Sequence, residues 1–468
     1  MRAEHGVCAV ECDLSRREGV MKRWTVWITV WAIFMFAVAG IGAQESELDP
    51  LLALLVEQGV ITMEQALAVQ AEYERRRAAE QAPPVATPQP AASALPTTAP
   101  TVPEQVAEAT STEAASETTK APAKEKWYDR FDFKGDLRLR AEFFKIEGIS
   151  ADDYRERFRA RIRAGMYTQI TDWMDIGIQL RSGDPNDPVS DNSTFDGGFA
   201  LIPISISEGY AGFHPTGWLD LTLGKFDANK KWVVSDMQWD DDVTVAGAME
   251  EFSFGPLKFD LYQYLLEEDK ATNDAYLLGA QLYGEFGNPS IGTFKVGGGF
   301  DDWVRPQMVA DLTLEGKLHG NPVTNLLDDD LRLISDFEIA NVFATWSWAK
   351  NERWPVKTSA FAYLNTGAQG LGKEYDTGYF LRLQVGDYKK KYQMMFRATR
   401  YYSEPDALFY VFAQSDTIHA SDVDGYRFDF RLGFVKKSYF NFTWYHTKPV
   451  YALFPTMDRL QMDYIIAF

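Results

Sequence analysis

The sequence predicts an all-β protein: a transmembrane, up-and-down antiparallel β-barrel of about sixteen strands, preceded by a short helical pair. Three observations carry this. From residue 131 onward, apolar and polar residues alternate in segment after segment. The connections between those segments alternate short and long. The chain closes on a strand-like run, LQMDYIIAF, that ends in Phe468.

The stretch FDFKGDLRLRAEFF (131–144) shows the alternation most plainly. Phe131, Phe133, Leu137, Leu139, Ala141 and Phe143 share one parity; Asp132, Lys134, Asp136, Arg138, Arg140 and Glu142 share the other. A strand sends alternate side chains to opposite faces, so one face is apolar and the other charged. A soluble sandwich would bury the apolar face in a core, whereas an outer-membrane barrel turns it to lipid. YRERFRARIRAGMYTQI (154–170) repeats the pattern, with Phe158, Ala160, Ile162, Ala164 and Met166 opposite Arg155, Arg157, Arg159, Arg161 and Arg163. MDIGIQLR, WLDLTLGKF, YFLRLQVG, KYQMMFRA and YRFDFRLGF follow suit.

Short connections fall near 171–172, 214–217, 255–256, 287–290, 387–390 and 436–437, with a middling one at 349–355. Long ones fall at 183–200, 227–242, 267–274, 301–334, 366–376, 403–424 and 447–456. Tight turns at one rim and loops at the other are the signature of an up-and-down barrel. A sandwich has no reason to keep that order. An even strand number brings both barrel ends to the short-turn rim. In the last strand Leu460, Met462, Tyr464, Ile466 and Phe468 share a parity. Tyr464, Ile466 and the terminal Phe468 resemble the insertion signal that bacterial outer-membrane barrels present to the barrel-assembly machinery.

Ahead of the barrel, Met21, Lys22 and Arg23 form a basic start, WTVWITVWAIFMFAV an apolar run, and AGIGA a small-residue end at Ala43. This reads as a secretory signal peptide cleaved after Ala43. The apolar run is short for a span of about 20 residues. Glu4, Glu11, Asp13 and Glu18 are out of place upstream of such a start, so Met21 is the expected initiator and 1–43 is leader. Cys8 and Cys12 are the only cysteines, which leaves the exported chain without any, as suits passage through an oxidising periplasm.

Residues 44–80 read as a periplasmic helix pair, with caps at Ser46 and Asp49, a stop at Gly59 and a capping box in TMEQ. Residues 81–126, rich in Pro, Ala and Thr, read as a disordered linker. The barrel takes 127–468. No run after the leader is long enough for a transmembrane helix.

The net charge of −20 argues against a nucleic-acid partner, which needs a cationic surface. Past the leader the histidines are His214, His319, His419 and His446, scattered along the chain. No Gly-x-Ser-x-Gly elbow, His-Glu-x-x-His or Walker A pattern accompanies them. Neither an enzyme, a cofactor nor a metal site is expected. Two alternatives remain open: a barrel enzyme acting on lipid, with His446 its candidate, and a closed structural anchor.

Several blocks resemble one Gram-negative outer-membrane family, called putative porins, with similarity to phosphate-selective porin O and P relatives. They are LLALLVEQGVITMEQA, RFRARIRAGMYTQITDWMDIGIQLRSGDP, LTLGKF and SDMQWDDDVTVAGA. The resemblance is best over 46–77 and 131–260. It implies a water-filled channel in the outer membrane for passive diffusion of small hydrophilic solutes, as a homotrimer with lipid and lipopolysaccharide around it.

In such a barrel the charged parity lines the lumen. Arg155, Arg157, Arg159, Arg161 and Arg163 form a ladder, beside Arg138 and Arg140 on one neighbouring strand and Arg181 on the other. Such a column attracts anions unless acids neutralise it. Candidate neutralisers on the strands are Asp132, Asp136, Glu142 and Asp175; in the loops, Asp236, Asp240, Asp241 and Asp242 offer a constriction if 227–242 folds inward. The loop at 301–334 is long enough to do the same.

Overall fold

The computed structural model describes residue 128 and residues 130–147, 154–198, 201–270, 273–349, 351–451 and 454–468. All fall within one compact unit, Glu117–Phe468. The leader, the helix pair and the linker lie outside the described residues.

The chain runs through β1 (Phe131–Ile146), β2 (Tyr154–Thr171), β3 (Met174–Ser182), the two-residue β4 (Ser193–Thr194), β5 (Ile204–Thr216) and β6 (Leu219–Phe226). It continues through β7 (Val245–Phe254), β8 (Leu257–Glu267), β9 (Ala275–Asn288), β10 (Gly292–Val304), β11 (Phe337–Trp348) and β12 (Val356–Asn365). The last are β13 (Thr377–Gly386), β14 (Met394–Ser403), β15 (Val423–Gly433), β16 (Ser438–Lys448) and β17 (Met457–Ala467). β4 only extends the β2 ladder, pairing Arg159 with Thr194. The other strands make a closed sixteen-strand antiparallel barrel, each paired with its sequence neighbours and β1 with β17.

The closing seam runs from Asp136 opposite Ala467 to Ile146 opposite Met457. At its lower end the Phe468 amide donates to the Gly135 carbonyl at 3.0 Å. A Cβ at position 135 would lie 2.4 Å from the Phe468 ring and 2.2 Å from the Arg163 carbonyl, so only glycine lets the terminal ring lie flat there. The long connections all leave one rim and the short ones the other, as the spacing in the sequence predicts.

Parity decides which face each residue takes. Phe133, Leu139, Ile162, Ile178, Leu223, Leu381, Phe396 and Phe428 are exposed on the outer surface. Arg138, Arg140, Glu142, Arg161, Arg427 and Arg459 are buried on the inner one. Ala141 and Phe143, on the outward parity of β1, are buried instead.

The lumen is not evenly filled. On β8 to β14 the inward parity is itself aromatic: Tyr262, Tyr264, Trp303, Phe337, Phe361, Phe380 and Tyr401 are all buried. Left facing water, such a surface would be costly. Three long connections turn inward to cover it. Residues 227–244 bring Trp232 and Trp239, residues 305–336 bring the helix Pro306–Leu314, and residues 404–422 bring Phe409, Tyr410 and Phe412. Trp239 stacks on Phe412 at 4.8 Å, Trp232 meets Tyr262 edge-on at 4.3 Å, and Trp303 meets Phe409 at 4.7 Å. One side of the barrel is thus packed like a protein core. The other, built from β1 to β3 and β15 to β17, is charged.

Candidate functional site

The charged wall begins with the register of β1 on β2. Arg138 lies opposite Arg161, Arg140 opposite Arg159, and Glu142 opposite Arg157. Opposed like charges in a sheet repel, so acids must separate them. Glu142 is one: fully buried, it receives Arg459 at 2.6 Å, Arg140 at 3.3 Å, Arg159 at 3.9 Å and the Arg157 guanidinium. Asp136 takes Arg161 at 2.8 Å and Arg163 at 2.7 Å. Asp463 on β17 holds Arg140 at 2.5 Å.

The remaining acids come from the infolded loops. Asp242 reaches Arg161 at 2.9 Å and both Arg138 and Arg163 at 3.7 Å. Asp191 holds Arg181 at 2.6 Å, and Asp416 holds Arg459 at 2.8 Å and Arg140 at 3.6 Å. Asp236 takes Arg427 of β15 at 3.2 Å together with Arg382 of β13. Asp240 meets no arginine among the described residues; it accepts from the Ser415 amide at 3.0 Å and hydroxyl at 2.9 Å, tying two loops together. Asp241 is exposed. Arg155 is exposed at the long-loop end of β2, its guanidinium over the Phe144 ring at 5.9 Å.

Of the strand acids considered from sequence, Asp136 and Glu142 meet the ladder. Asp132 instead pairs with Lys134 and Asp175 with His214. The arginines of the later strands, Arg382, Arg397, Arg427, Arg431 and Arg459, complete the wall but were not singled out from sequence. Their signal was present as arginines on the polar parity of FLRLQ, MFRAT, YRFDFRL and MDRLQ. The third infolded loop was also missed, although ALFYVF (407–412) is too apolar to lie in solvent.

Between wall and loops lies a cavity of about 870 Å³. Arg138, Arg140, Arg161 and Arg163 line one side, and Asp240, Asp241, Asp242 and Asp416 the other. The loop acids differ in charge state. Burial, with Asp242 and Asp416 nearby, pushes the Asp240 carboxyl well above its usual range. Asp242 is held far below it, because three guanidiniums outweigh its burial. Asp191 is pushed up to about 6 by burial and by Asp242, against the pull of Arg181 and Arg163. Asp191 is therefore ionised at pH 7 and neutral at pH 5. Acidification across that interval removes one negative charge beside Arg163 and Arg181, so the reversal potential in a salt gradient is expected to move toward anion selectivity.

The Phe131–Ile146 and Met457–Ala467 strands place Tyr464 and Ile466 outward, with Phe468 at the short-turn rim. His446 also faces outward and pairs with Asp458 at 2.9 Å near the long-loop rim.

Residues 146–304 match the family model described as "Putative porin". No curated protein matches the sequence. Among solved structures the chain is similar to Pseudomonas putida OprB, with 10% identity, a TM-score of 0.48, and coverage of 73% of this chain and 95% of that one. A Rhodopseudomonas blastica porin variant gives 11% identity, a TM-score of 0.42, and coverage of 72% and 100%. The family model is matched across β2 to β10, and the described residues form a closed sixteen-strand barrel around a charged lumen, the architecture of a porin channel.

Proposed function

We propose that small hydrophilic solutes cross this porin down their gradient along the charged wall, through the cavity between the arginine ladder and the loop acids. The observation that carries this reading is the division of the lumen: aromatic packing fills the β8 to β14 side, and the polar cavity lies on the other. No covalent step is involved. Facing rows of guanidinium and carboxylate set up a field across the path, which favours polar solutes over apolar ones of equal size.

The ladder does not by itself make the path anion-selective, because Arg157, Arg159, Arg161 and Arg163 all meet carboxylates. Two cations differ. Arg397 donates to the Gln384 side-chain oxygen at 2.8 Å, and Arg431 to Asn441 at 3.0 Å and the Tyr388 hydroxyl at 2.9 Å. Among the described residues neither forms an ion pair. We assign the anion preference to this pair, on adjacent strands toward the short-turn rim. Replacing both, Arg397→Gln with Arg431→Gln, is expected to lower the anion-to-cation permeability ratio severalfold while open-channel steps persist. An unchanged ratio would return the preference to the ladder. Absence of any steps from the folded wild-type barrel would favour a closed anchor.

The first strand begins at the short-turn rim, which in outer-membrane barrels faces the periplasm. That supports a periplasmic position for residues 44–80, joined to the barrel by 81–126. Tyr464, Ile466 and Phe468 are proposed as the signal for the assembly machinery, and lipopolysaccharide as the neighbour of the long-loop rim.

A further inference from the structure

The short turns of the barrel differ in charge. Those at 172–173, 217–218, 255–256 and 289–291 carry no lysine or arginine. Two others are strongly cationic. The turn between β13 and β14 holds Lys389, Lys390 and Lys391, and the turn between β15 and β16 holds Lys436 and Lys437. All five are exposed.

The two turns press against each other. The Tyr392 amide donates to the Gly433 carbonyl at 2.7 Å, and the Gly433 amide to the Gln393 carbonyl at 2.9 Å. A Cβ at position 433 would lie 2.2 Å from the Lys390 carbonyl, so glycine is what lets the turns meet. The lysines therefore form one patch, and acids do not balance it. Among the described residues they make one ion pair, Lys390 with Glu352 at 3.9 Å, and both groups are exposed. The Asp387 carboxylate is turned to the amides of Tyr388 at 2.7 Å and Lys389 at 3.3 Å. Like charges gathered this closely repel one another, and an anionic partner relieves the repulsion.

The outer face of the same strands supplies a second, independent feature. Leu383, Phe396, Ala398, Phe428, Phe430 and Trp444 line an apolar groove of about 400 Å³. The register sets Ala398 opposite Leu383 and Phe428, so its methyl is the floor and the larger neighbours are walls. Tyr392 is exposed at the foot of β14, with the Lys391 ammonium 4.8 Å from its ring centre. Such a ring beside a cation suits the level where headgroups meet hydrocarbon. From Tyr392 to Ala398 the strand runs about 20 Å, or about 15 Å of depth at the tilt of such barrels. Half of a hydrocarbon core about 30 Å thick is the same distance. An acyl chain rooted at the lysine turns thus reaches the groove.

We propose that turns and groove together bind one anionic phospholipid of the periplasmic leaflet, its phosphodiester on the lysines and an acyl chain over Ala398. The proposal rests on the barrel spanning a membrane with its short turns toward the periplasm, as the porin reading requires. An acidic protein would meet the lysines but leave the groove to bulk lipid. A lipid of no net charge would fill the groove but leave the lysines unmatched. Lysines at a bilayer surface attract anionic headgroups, and a cationic amine within the headgroup cancels the charge they read.

The full chain is folded into nanodiscs of equal parts phosphatidylglycerol and phosphatidylcholine, released, and weighed with its retained lipid by native mass spectrometry. The wild-type chain is expected to retain phosphatidylglycerol over phosphatidylcholine at least fivefold. Changing all five lysines to glutamine (Lys389→Gln, Lys390→Gln, Lys391→Gln, Lys436→Gln and Lys437→Gln) is expected to bring that preference within twofold. Ala398→Phe, which keeps every lysine and fills the groove, is expected to lower the retained phosphatidylglycerol severalfold. Equal retention of the two lipids by the wild-type chain, a preference that survives the lysine changes, or full retention by Ala398→Phe would each overturn the proposal. So would amine-directed cross-linking in whole outer membranes that joins the patch to a protein. Lipid retention needs no open pore, so conductance recorded on the same samples reports separately on the porin reading.

Discussion

Glu142→Gln is expected to cost the barrel about 3–5 kcal/mol, the usual penalty for removing one partner of a buried charge network. Glu142 is fully buried and is the only carboxylate within reach of Arg157 among the described residues. Arg140 and Arg459 keep Asp416, and Arg140 also keeps Asp463, but Arg157 and Arg159 lose their carboxylate. Glutamine preserves the shape and one acceptor oxygen, so the change isolates charge from packing. In urea titrations of the refolded barrel the midpoint should fall clearly. The surviving variant should also be more anion-selective, since uncompensated guanidiniums then face the cavity. An unaltered midpoint would mean that water already screens this cluster.

Trp239→Ala addresses the opposite side of the lumen. Trp239 is among the largest fully buried side chains, packed on Trp232 at 5.1 Å and on Phe412 at 4.8 Å. Truncating a buried tryptophan costs about 3–5 kcal/mol. Here the loss falls on the contact between two loops rather than on the strand ladder. The barrel should therefore remain folded while residues 227–244 and 404–422 part. Single-channel conductance is expected to rise and become noisier, because space now filled by aromatic rings opens to ions. A variant with wild-type conductance and unfolding would show that the aromatic side does not restrict the path.

The sequence made the barrel legible because lipid imposes a strict rule. Every second residue of β1 to β3, β13 and β15 had to be apolar, and Phe133, Leu139, Ile178, Leu381 and Phe428 announce the outer face. The turn spacing did the rest. The interior was less legible, for a physical reason. Inward positions on β8 to β14 carry Tyr262, Trp303 and Phe361, so both parities look apolar and alternation says nothing about what covers them. Cover comes from loops distant in sequence, and only the apolar run at 407–412 hinted at one of them. The arginine ladder could be read directly from β2, but its charge balance could not. That balance depends on Asp191, Asp242 and Asp416, which reach the wall through tertiary folding of three separate loops.

The proposed route of solutes runs along the charged wall and not through the aromatic side. The most direct measurement is block of single-channel current by a bulky water-soluble thiol reagent on the cysteine-free full chain carrying one new cysteine. Gln179→Cys places the thiol on β3, where it lines the cavity; Ser359→Cys places it on the inward parity of β12, beside Phe361. The reagent is expected to remove most of the current through Gln179→Cys and little of that through Ser359→Cys. Block at Ser359→Cys with current spared at Gln179→Cys would contradict it.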